Sequence, residues 1–495
     1  MLTTCKTHRK FFVFFFLLMW IIPSISFADF NTFDVNNLSS WETAISSPDL
    51  NAGDIIYING KIPLDGEFDC KGATIQRYPS GGYYNGTLFI VDGGKSATLK
   101  NVTIDSGNNW TYQEDLVAQY KQNPTLLAIE TQKPENYSDQ VTRDTQGPIL
   151  YPTASETGKP SSVSTLITID NGTLTLDKVT IQNFYSVSYD TRSSGTTQYL
   201  GTSGSSLIKI TGQSTLNLKD STLQHNATGG SGAVAYMSGT STINIDNTVI
   251  TNNYGGVNGG LFEMNGSSTI TLDKGTSISN TFSTNSNGHI AIIKDSSNFI
   301  IQGGSSVTDN YAIPGVSNGR CGAFYVYHAN SRLTVIDGTI SNNTGYNYGG
   351  VDCRSGALIM TGGSITDNIS QRGYPDYDIH FNSAPHNITG GNFSQNITPY
   401  IASGHVLRIN DDGTFTCLKP DPYLYEGTYT TDVSQYRDPN ADYIVIHHKN
   451  GTWTILPKPT NLPLTGDSSM LMLHILLLGA GLSALLMRSK RLNCR

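Results

Sequence analysis

The sequence predicts an all-β protein whose centre is a parallel β-helix, a solenoid of stacked coils. Three observations predict it. Only 14% of the residues are charged and 37% hydrophobic, with 50 Gly, yet 26 Tyr and 18 Phe leave enough apolar mass for a core. That balance fits many short strands joined by polar turns, and it excludes a coiled coil, a long helical bundle or a disordered acidic chain. A 13-residue block with apolar residues at period two recurs through the middle of the chain, and a glycine-opened strand precedes most copies.

The first 28 residues read as an export signal. Lys6, Arg9 and Lys10 form a basic start, and Phe11 to Ile22 is an apolar run of twelve, broken by Pro23. Twelve residues are too few to span ~30 Å of hydrocarbon. Ser26 and Ala28 are the small residues a signal peptidase reads, and cleavage would leave Asp29 as the new N-terminus.

Residues 29–87 are expected to form an N-terminal cap and the first coils. Leu38 to Pro48 suits a short amphipathic helix with Trp41, Ala44 and Ile45 on one face. Asp54 to Ile58 then starts the first strand.

Residues 88–403 carry the solenoid. Ser214 to Asn226 and Ser241 to Asn253 are two copies of the block, and further copies lie at 268–280, 298–310, 331–343, 356–368 and 384–396. The closing residues Asn226, Asn253, Asn280, Asn310, Asn343, Asn368 and Asn396 stand 25 to 33 residues apart. An earlier copy at 172–184 ends in Phe184, and a fainter one lies at 96–107. Within a block, alternation such as Ile243 and Ile245, then a polar break and Ile250, predicts strand, bend, strand. The third strand opens with Gly232-Ala233-Val234, Gly259-Gly260-Leu261, Gly288-His289-Ile290, Gly322-Ala323-Phe324 or Gly349-Gly350-Val351. Three short strands per repeat bury their apolar side only when coils stack ~4.8 Å apart. The repeated Asn fits either of two roles: an amide ladder from coil to coil, or the left-handed turn geometry that Asn tolerates. Residues 108–164 break the rhythm and read as an insertion projecting from one coil.

Residues 404–458 fit the repeat poorly. They read as a small C-terminal β cap with strands near Val406–Ile409 and Tyr443–His447. Residues 459–465 are a linker and the start of a pentapeptide, Leu462-Pro463-Leu464-Thr465-Gly466. Met470 to Met487 is then largely apolar and long enough to span a membrane, and Arg488, Lys490, Arg491 and Arg495 close the chain.

That C-terminal arrangement resembles the Leu-Pro-any-Thr-Gly sorting signal of Gram-positive surface proteins. The resemblance implies that sortase, a membrane-bound transpeptidase, cuts between Thr465 and Gly466. Its cysteine attacks the Thr465 carbonyl, a thioester forms, and an amine of the peptidoglycan precursor displaces the enzyme. Residues 466–495 would be removed, and the chain would be this reaction's substrate. Its processing partners would be signal peptidase and sortase, with peptidoglycan attached covalently. A permanent C-terminal membrane anchor is the alternative, with the same surface exposure and no wall linkage. The repeat over roughly Leu88 to Ile409 resembles the right-handed β-helix surface proteins and the pectin-lyase-like superfamily. This second resemblance implies a fold and leaves the activity open.

Removing both ends leaves 24 basic and 38 acidic residues, a net charge near −14. So acidic a surface speaks against nucleic acid as a partner. Four cysteines remain: Cys70, Cys321, Cys353 and Cys417. Cys321 precedes its coil's glycine by one residue and Cys353 follows its own by four, an offset of ~16 Å along a strand. A disulfide needs a Cα separation of ~4.4–6.8 Å, so no essential disulfide is expected. No motif indicates a cofactor, and the cysteine spacing fits no zinc site.

The pectin-lyase-like resemblance raises polysaccharide hydrolysis or elimination, which needs grouped carboxylates or a base held near them. The candidates are Asp376, Asp378 and His380, then His405, Arg408, Asp411 and Asp412. Within the coils, Asp170, Asp246, Asp273 and Asp337 stand where turns begin. A binding role has a different candidate. Aromatics follow the block-closing position at Tyr185, Tyr254, Phe282, Tyr311, Tyr346, Tyr348 and Tyr374. They would line one edge of the solenoid and stack on sugar rings, or else pack internally over the turns. The expected function is therefore a wall-anchored adhesin or ligand-binding solenoid without a catalytic residue, its ligand a glycan or a host protein. A wall-bound polysaccharide lyase or hydrolase is the first alternative and a passive stalk the second.

Overall fold

A computed structural model describes residues 30–78, 84–106, 164–186, 204–285, 287–312, 321–373, 378–382 and 384–458, with the backbone also at 189–190 and 199–200. The export segment, most of the insertion, Tyr374, Asp376 and the sorting pentapeptide lie outside the described residues. Among the described residues no helix is long and apolar enough to cross a membrane. The chain divides into two units at Ala402/Ser403.

The first unit opens with a strand the sequence analysis did not expect, Thr32–Val35, which pairs in parallel with Ile55–Ile58. Between them runs the cap helix, Leu38–Ser46. Asn37 accepts the Ser40 N–H at 2.9 Å, and the Ser40 hydroxyl accepts the Asn37 N–H at 3.2 Å, so two orphan donors are satisfied reciprocally. The helix stops at Ser47, whose extended backbone is what a following proline favours. Trp41 is fully buried and meets the rings of Phe68 and Phe89 edge-on at 5.8 and 5.4 Å.

The block of 13 residues forms two strand segments in one long parallel sheet, for example Thr242–Asp246 and Val249–Thr251. Leu216, Ile243, Ile270, Phe299, Leu333 and Leu358 are register partners in six successive coils, and all are buried. This is the period-two alternation converted into a continuous core. The glycine-opened strands form a second parallel sheet of ten, from Ile62–Pro63 to Ile379–Phe381. A third parallel sheet of seven short strands, Tyr185–Ser186 to Ile369–Ser370, succeeds the closing residue of each block. Coil upon coil of parallel pairing is a solenoid of β-helix type. The expected three strands per repeat become four, because strands of two to four residues carry too little periodicity to read.

Two registers expected from the sequence need correction. Ser279 pairs with Thr251, so the extra residue in the Lys274-Gly275 turn shifts Asn280 back by one. Thr281, and not Asn280, lies beside Asn253. Likewise Gly288 pairs with Cys321 and Cys321 with Tyr348, which puts Gly322 and Gly349 in line with His289.

Both roles offered for the repeated Asn are filled, at adjacent positions. The residue before the closing position has left-handed backbone, as at Asn252 (φ 54°), Asn280 (52°) and Asn342 (55°). The closing residue itself forms a buried ladder. Asn226 Nδ2 donates to Asn253 Oδ1 at 3.0 Å, Asn310 to Asn343 at 2.9 Å and Asn343 to Asn368 at 2.9 Å. Each amide nitrogen also donates to a backbone carbonyl, as Asn343 does to Val307 at 2.9 Å. Asn396 is exposed and takes no part; the ladder's last acceptor is Asp378.

The second unit is an antiparallel sheet in the order Phe415–Leu418, Val406–Ile409, Gly427–Tyr429, Trp453–Pro457 and Tyr443–His447. Its own small core holds Val406, Leu424, Tyr429, Val433 and Ile455. The four cysteines of the described residues are buried, and no disulfide joins any of them.

Candidate functional site

The aromatic row read from the sequence exists, but it is covered. Tyr185, Ala227, Tyr254, Phe282, Tyr311, Thr344 and Ile369 are register partners through the third sheet. Tyr185, Tyr254, Phe282 and Tyr311 expose 4% of their surface or less. Phe282 packs on Tyr311 with ring centres 6.4 Å apart, and the Tyr311 hydroxyl accepts from Gln371 Nε2 at 2.8 Å, two coils further on. Burial pushes the Tyr311 phenol up to about 12. A ring without an open face cannot stack on a sugar, so these four are corrected from binding residues to packing residues.

Tyr346 and Tyr348 are different. They stand in the turn between Thr344–Gly345 and Val351–Cys353, and both are half-buried. The Tyr348 ring lies flat on the imidazole of His380, with centres 4.3 Å apart and planes 5° apart. His380 sits on the neighbouring strand, one coil on, directly beside Asp352. Its Nδ1 is 2.9 Å from Asp352 Oδ1. The carboxylate is 2% exposed and the imidazole 23%. The carboxylate holds the imidazole proton on Nδ1, which leaves Nε2 as the basic lone pair.

Two further aromatics adjoin this pair on the preceding coil. Tyr325 is the register partner of Asp352 and is itself buried, a packing residue like the four above. Tyr327, 39% exposed, stacks on Tyr325 at 5.2 Å and leans on His328 at 4.5 Å. Arg372 lies over the Tyr346 ring at 5.3 Å and donates to Asn347 Oδ1 at 3.3 Å. Asp352, Tyr325, Tyr327 and Arg372 were not among the residues expected from the sequence. A signal for two of them was present: Tyr325 and Tyr327 are spaced by two and therefore point to one side of their strand.

The carboxylate candidates do not gather. Asp376 lies outside the described residues. Asp378 points into the Asn ladder, where its Oδ1 accepts from Asn368 N at 2.8 Å and Nδ2 at 2.9 Å. In the second unit, Asp412 closes the turn 410–413 by accepting from Thr414 N and Oγ1, which hold it below the usual carboxylate range. Arg408 lies on the strand beside that turn, and His405 Nδ1 stands 3.3 Å from the Ser403 carbonyl. The coil aspartates serve turns: Asp246 pairs with Lys274 at 2.6 Å, Asp273 accepts from Gln302 at 2.9 Å, Asp170 from Thr211 at 2.8 Å, and Asp337 from Gly304 N at 3.2 Å. Among the described residues no group of three or more His, Cys, Asp or Glu converges as a metal ion would need.

No family model matches the chain, and neither a curated protein nor a solved structure matches it. The arrangement itself is therefore what speaks. The partly exposed Tyr348 with its stacked imidazole, and the exposed Tyr327, offer flat apolar faces beside hydrogen-bonding edges. That chemistry suits a ring with hydroxyls. The Asp352–His380 pair adds a base of fixed tautomer.

Proposed function

We propose that the chain is a cell-surface glycan-binding solenoid, a right-handed β-helix of adhesin type, exported by its first 28 residues and linked to peptidoglycan through Thr465. The observation that carries the binding reading is the parallel Tyr348–His380 stack, held rigid by the buried Asp352 carboxylate. A rigid aromatic face costs little ordering entropy when a sugar settles on it. The surface display rests on the sequence alone: Ser26, Ala28 and Asp29 at one end, and Leu462 to Gly466 before an apolar span and basic tail at the other.

The test is a glycan array with the chain from Asp29 to Thr465, the hits re-incubated and their products run by mass spectrometry. Intact glycans retained by the native chain and lost with Tyr348→Ala support the reading. Silence on the array, or retention unchanged in Tyr348→Ala, overturns it. The Asp352–His380 pair favours one second reading, a wall-bound polysaccharide-cleaving enzyme with His380 as base. Shortened or unsaturated products that disappear with His380→Ala would establish it in place of the first.

A further inference from the structure

The Asn ladder ends on a group of a different kind. At Asn226, Asn310 and Asn343 the acceptor of the ladder bond is a neutral amide oxygen. At Asn368 it is the carboxyl of Asp378, fully buried, ten residues along the same chain. Two donors, Asn368 N and Nδ2, converge on Oδ1. Oδ2 is buried and has no hydrogen-bond partner. A carboxylate in that position leaves one oxygen desolvated and unpaired, whereas a carboxylic acid carries no charge to desolvate.

Asp378 leads directly into the strand Ile379–Phe381, which carries His380. The Ile379 N–H donates to Gln395 Oε1 at 3.1 Å, and its carbonyl accepts from Gln395 Nε2 at 3.0 Å, so one side chain pins the start of that strand. The seat of Asp378 and the placement of His380 against Tyr348 are thus two ends of one three-residue stretch.

We infer that Asp378 is a proton-controlled latch: protonated, it seats the last strand and holds the His380 surface in its binding geometry; ionised, it loosens both. This rests on the binding reading of the Tyr348–His380 surface. The surroundings agree. Burial pushes the carboxyl up to about 6, against the two bonds from Asn368. Asp367 adds a like charge in the same direction, and the Ser394 hydroxyl, which lies beyond hydrogen-bond distance of Oδ2, opposes it. The remaining charged pair nearby, Asp352 with His380, lies on the second sheet. The latch would close over the range between neutral and mildly acidic surroundings.

The test measures hydrogen exchange at Ile379 to Phe381 in the chain from Asp29 to Thr465 between pH 5 and 7.5, as protection corrected for intrinsic exchange. Protection in the native chain is expected to fall on the order of tenfold as pH rises, following the proton linkage of one buried carboxyl. Asp378→Asn, locked neutral, is expected to stay flat over the same range. Asp367→Asn, an exposed change that leaves the ladder intact, is expected to move the midpoint to lower pH. Equal slopes in the native chain and Asp378→Asn, or an unmoved midpoint in Asp367→Asn, overturn the latch. The exchange readout needs no ligand, so an array without hits would remove the binding reading and leave this measurement standing.

Discussion

Thr281 Oγ1 lies 2.6 Å from Nε2 of His289, and both side chains are buried. Thr281 occupies a ladder position that Asn holds in neighbouring coils, and it passes the ladder on by donating to Asn310 Oδ1 at 2.9 Å. His289 occupies a position that is Ala233 or Gly260 in the two preceding coils and Gly322 in the next. Where the ladder residue shrinks, the facing residue grows. At the glycine positions the backbone of the next coil fills the room: a Cβ on Gly260 would lie 2.2 Å from the His289 carbonyl oxygen.

This compensation sets a double-mutant expectation. Thr281→Asn alone forces an amide against the imidazole and should destabilise the chain by about 1–3 kcal/mol, as overpacking does. Thr281→Asn with His289→Gly should recover most of that loss by restoring the regular ladder. Chemical denaturation of the four proteins measures the coupling, and simple additivity would show that the two positions do not compensate.

His289 also sets an acid limit. Burial pushes its imidazole down to about 3 from 6.5, so it stays neutral in the fold. A lowered histidine value gives stability that is present above 6.5 and is lost as pH falls from there toward 3, because the unfolded chain takes the proton first. The melting temperature of the native chain should drop over that window, and His289→Gln should drop less. Asp378 acts in the opposite sense, since its raised value makes its contribution greatest in acid and lost as pH climbs through about 6.

The ladder is an interior load path, and its members are not equivalent. Asn343→Ala removes bonds to Asn310, Asn368 and the Val307 carbonyl. It should cost about 2–4 kcal/mol, the range for stranding buried donors and acceptors. Asn396→Ala, at the exposed equivalent position, loses only the exposed bonds it accepts from Thr398 N and Oγ1 and should cost less, about 0.5–1.5 kcal/mol. Urea midpoints for the pair decide it.

The two classes of aromatic should separate binding from stability. Tyr254→Ala should cost about 3–5 kcal/mol, the range for emptying a large buried ring. Tyr327→Ala should change stability by less than about 0.5 kcal/mol while weakening retention on the glycans that the native chain holds. Loss of stability in Tyr327→Ala would place that ring in the core.

Wall linkage has a direct readout. Thr465→Ala keeps the backbone carbonyl that would form the thioester but removes the side chain by which sortase would recognise the pentapeptide, and the chain should appear in the membrane fraction and the culture medium in place of the wall fraction. Fractionation with an immunoblot checks this, and an unchanged wall fraction would leave the pentapeptide without that role.

Much of the fold was legible because it is local. Alternation at Ile243, Ile245 and Ile250 is a property of a strand a few residues long, and its repetition every 25 to 33 residues implies stacking whatever the rest of the chain does. The helix at Leu38–Ser46 was legible for the same reason, from Trp41 and Ala44 three apart. The candidate site was legible only in part. His380, Tyr346 and Tyr348 stood out as residue types, whereas Asp352 did not, since nothing in its neighbours along the chain marks it.

The sequence by itself determined an all-β repeat with alternating faces, because this depends on short-range periodicity and on order along the chain. Only the tertiary structure decided which faces are covered and which side chains meet. Tyr254 and Tyr327 look alike in the sequence, yet one is sealed and the other open. Asp352 and His380 are 28 residues apart and become neighbours through the register of two coils. One inserted residue before Thr281 moved the ladder from Asn280 to its successor. The physical reason is common to all three. Coils of unequal length share one stacking register, so lateral contacts are set by the accumulated offset between coils, which no single repeat contains.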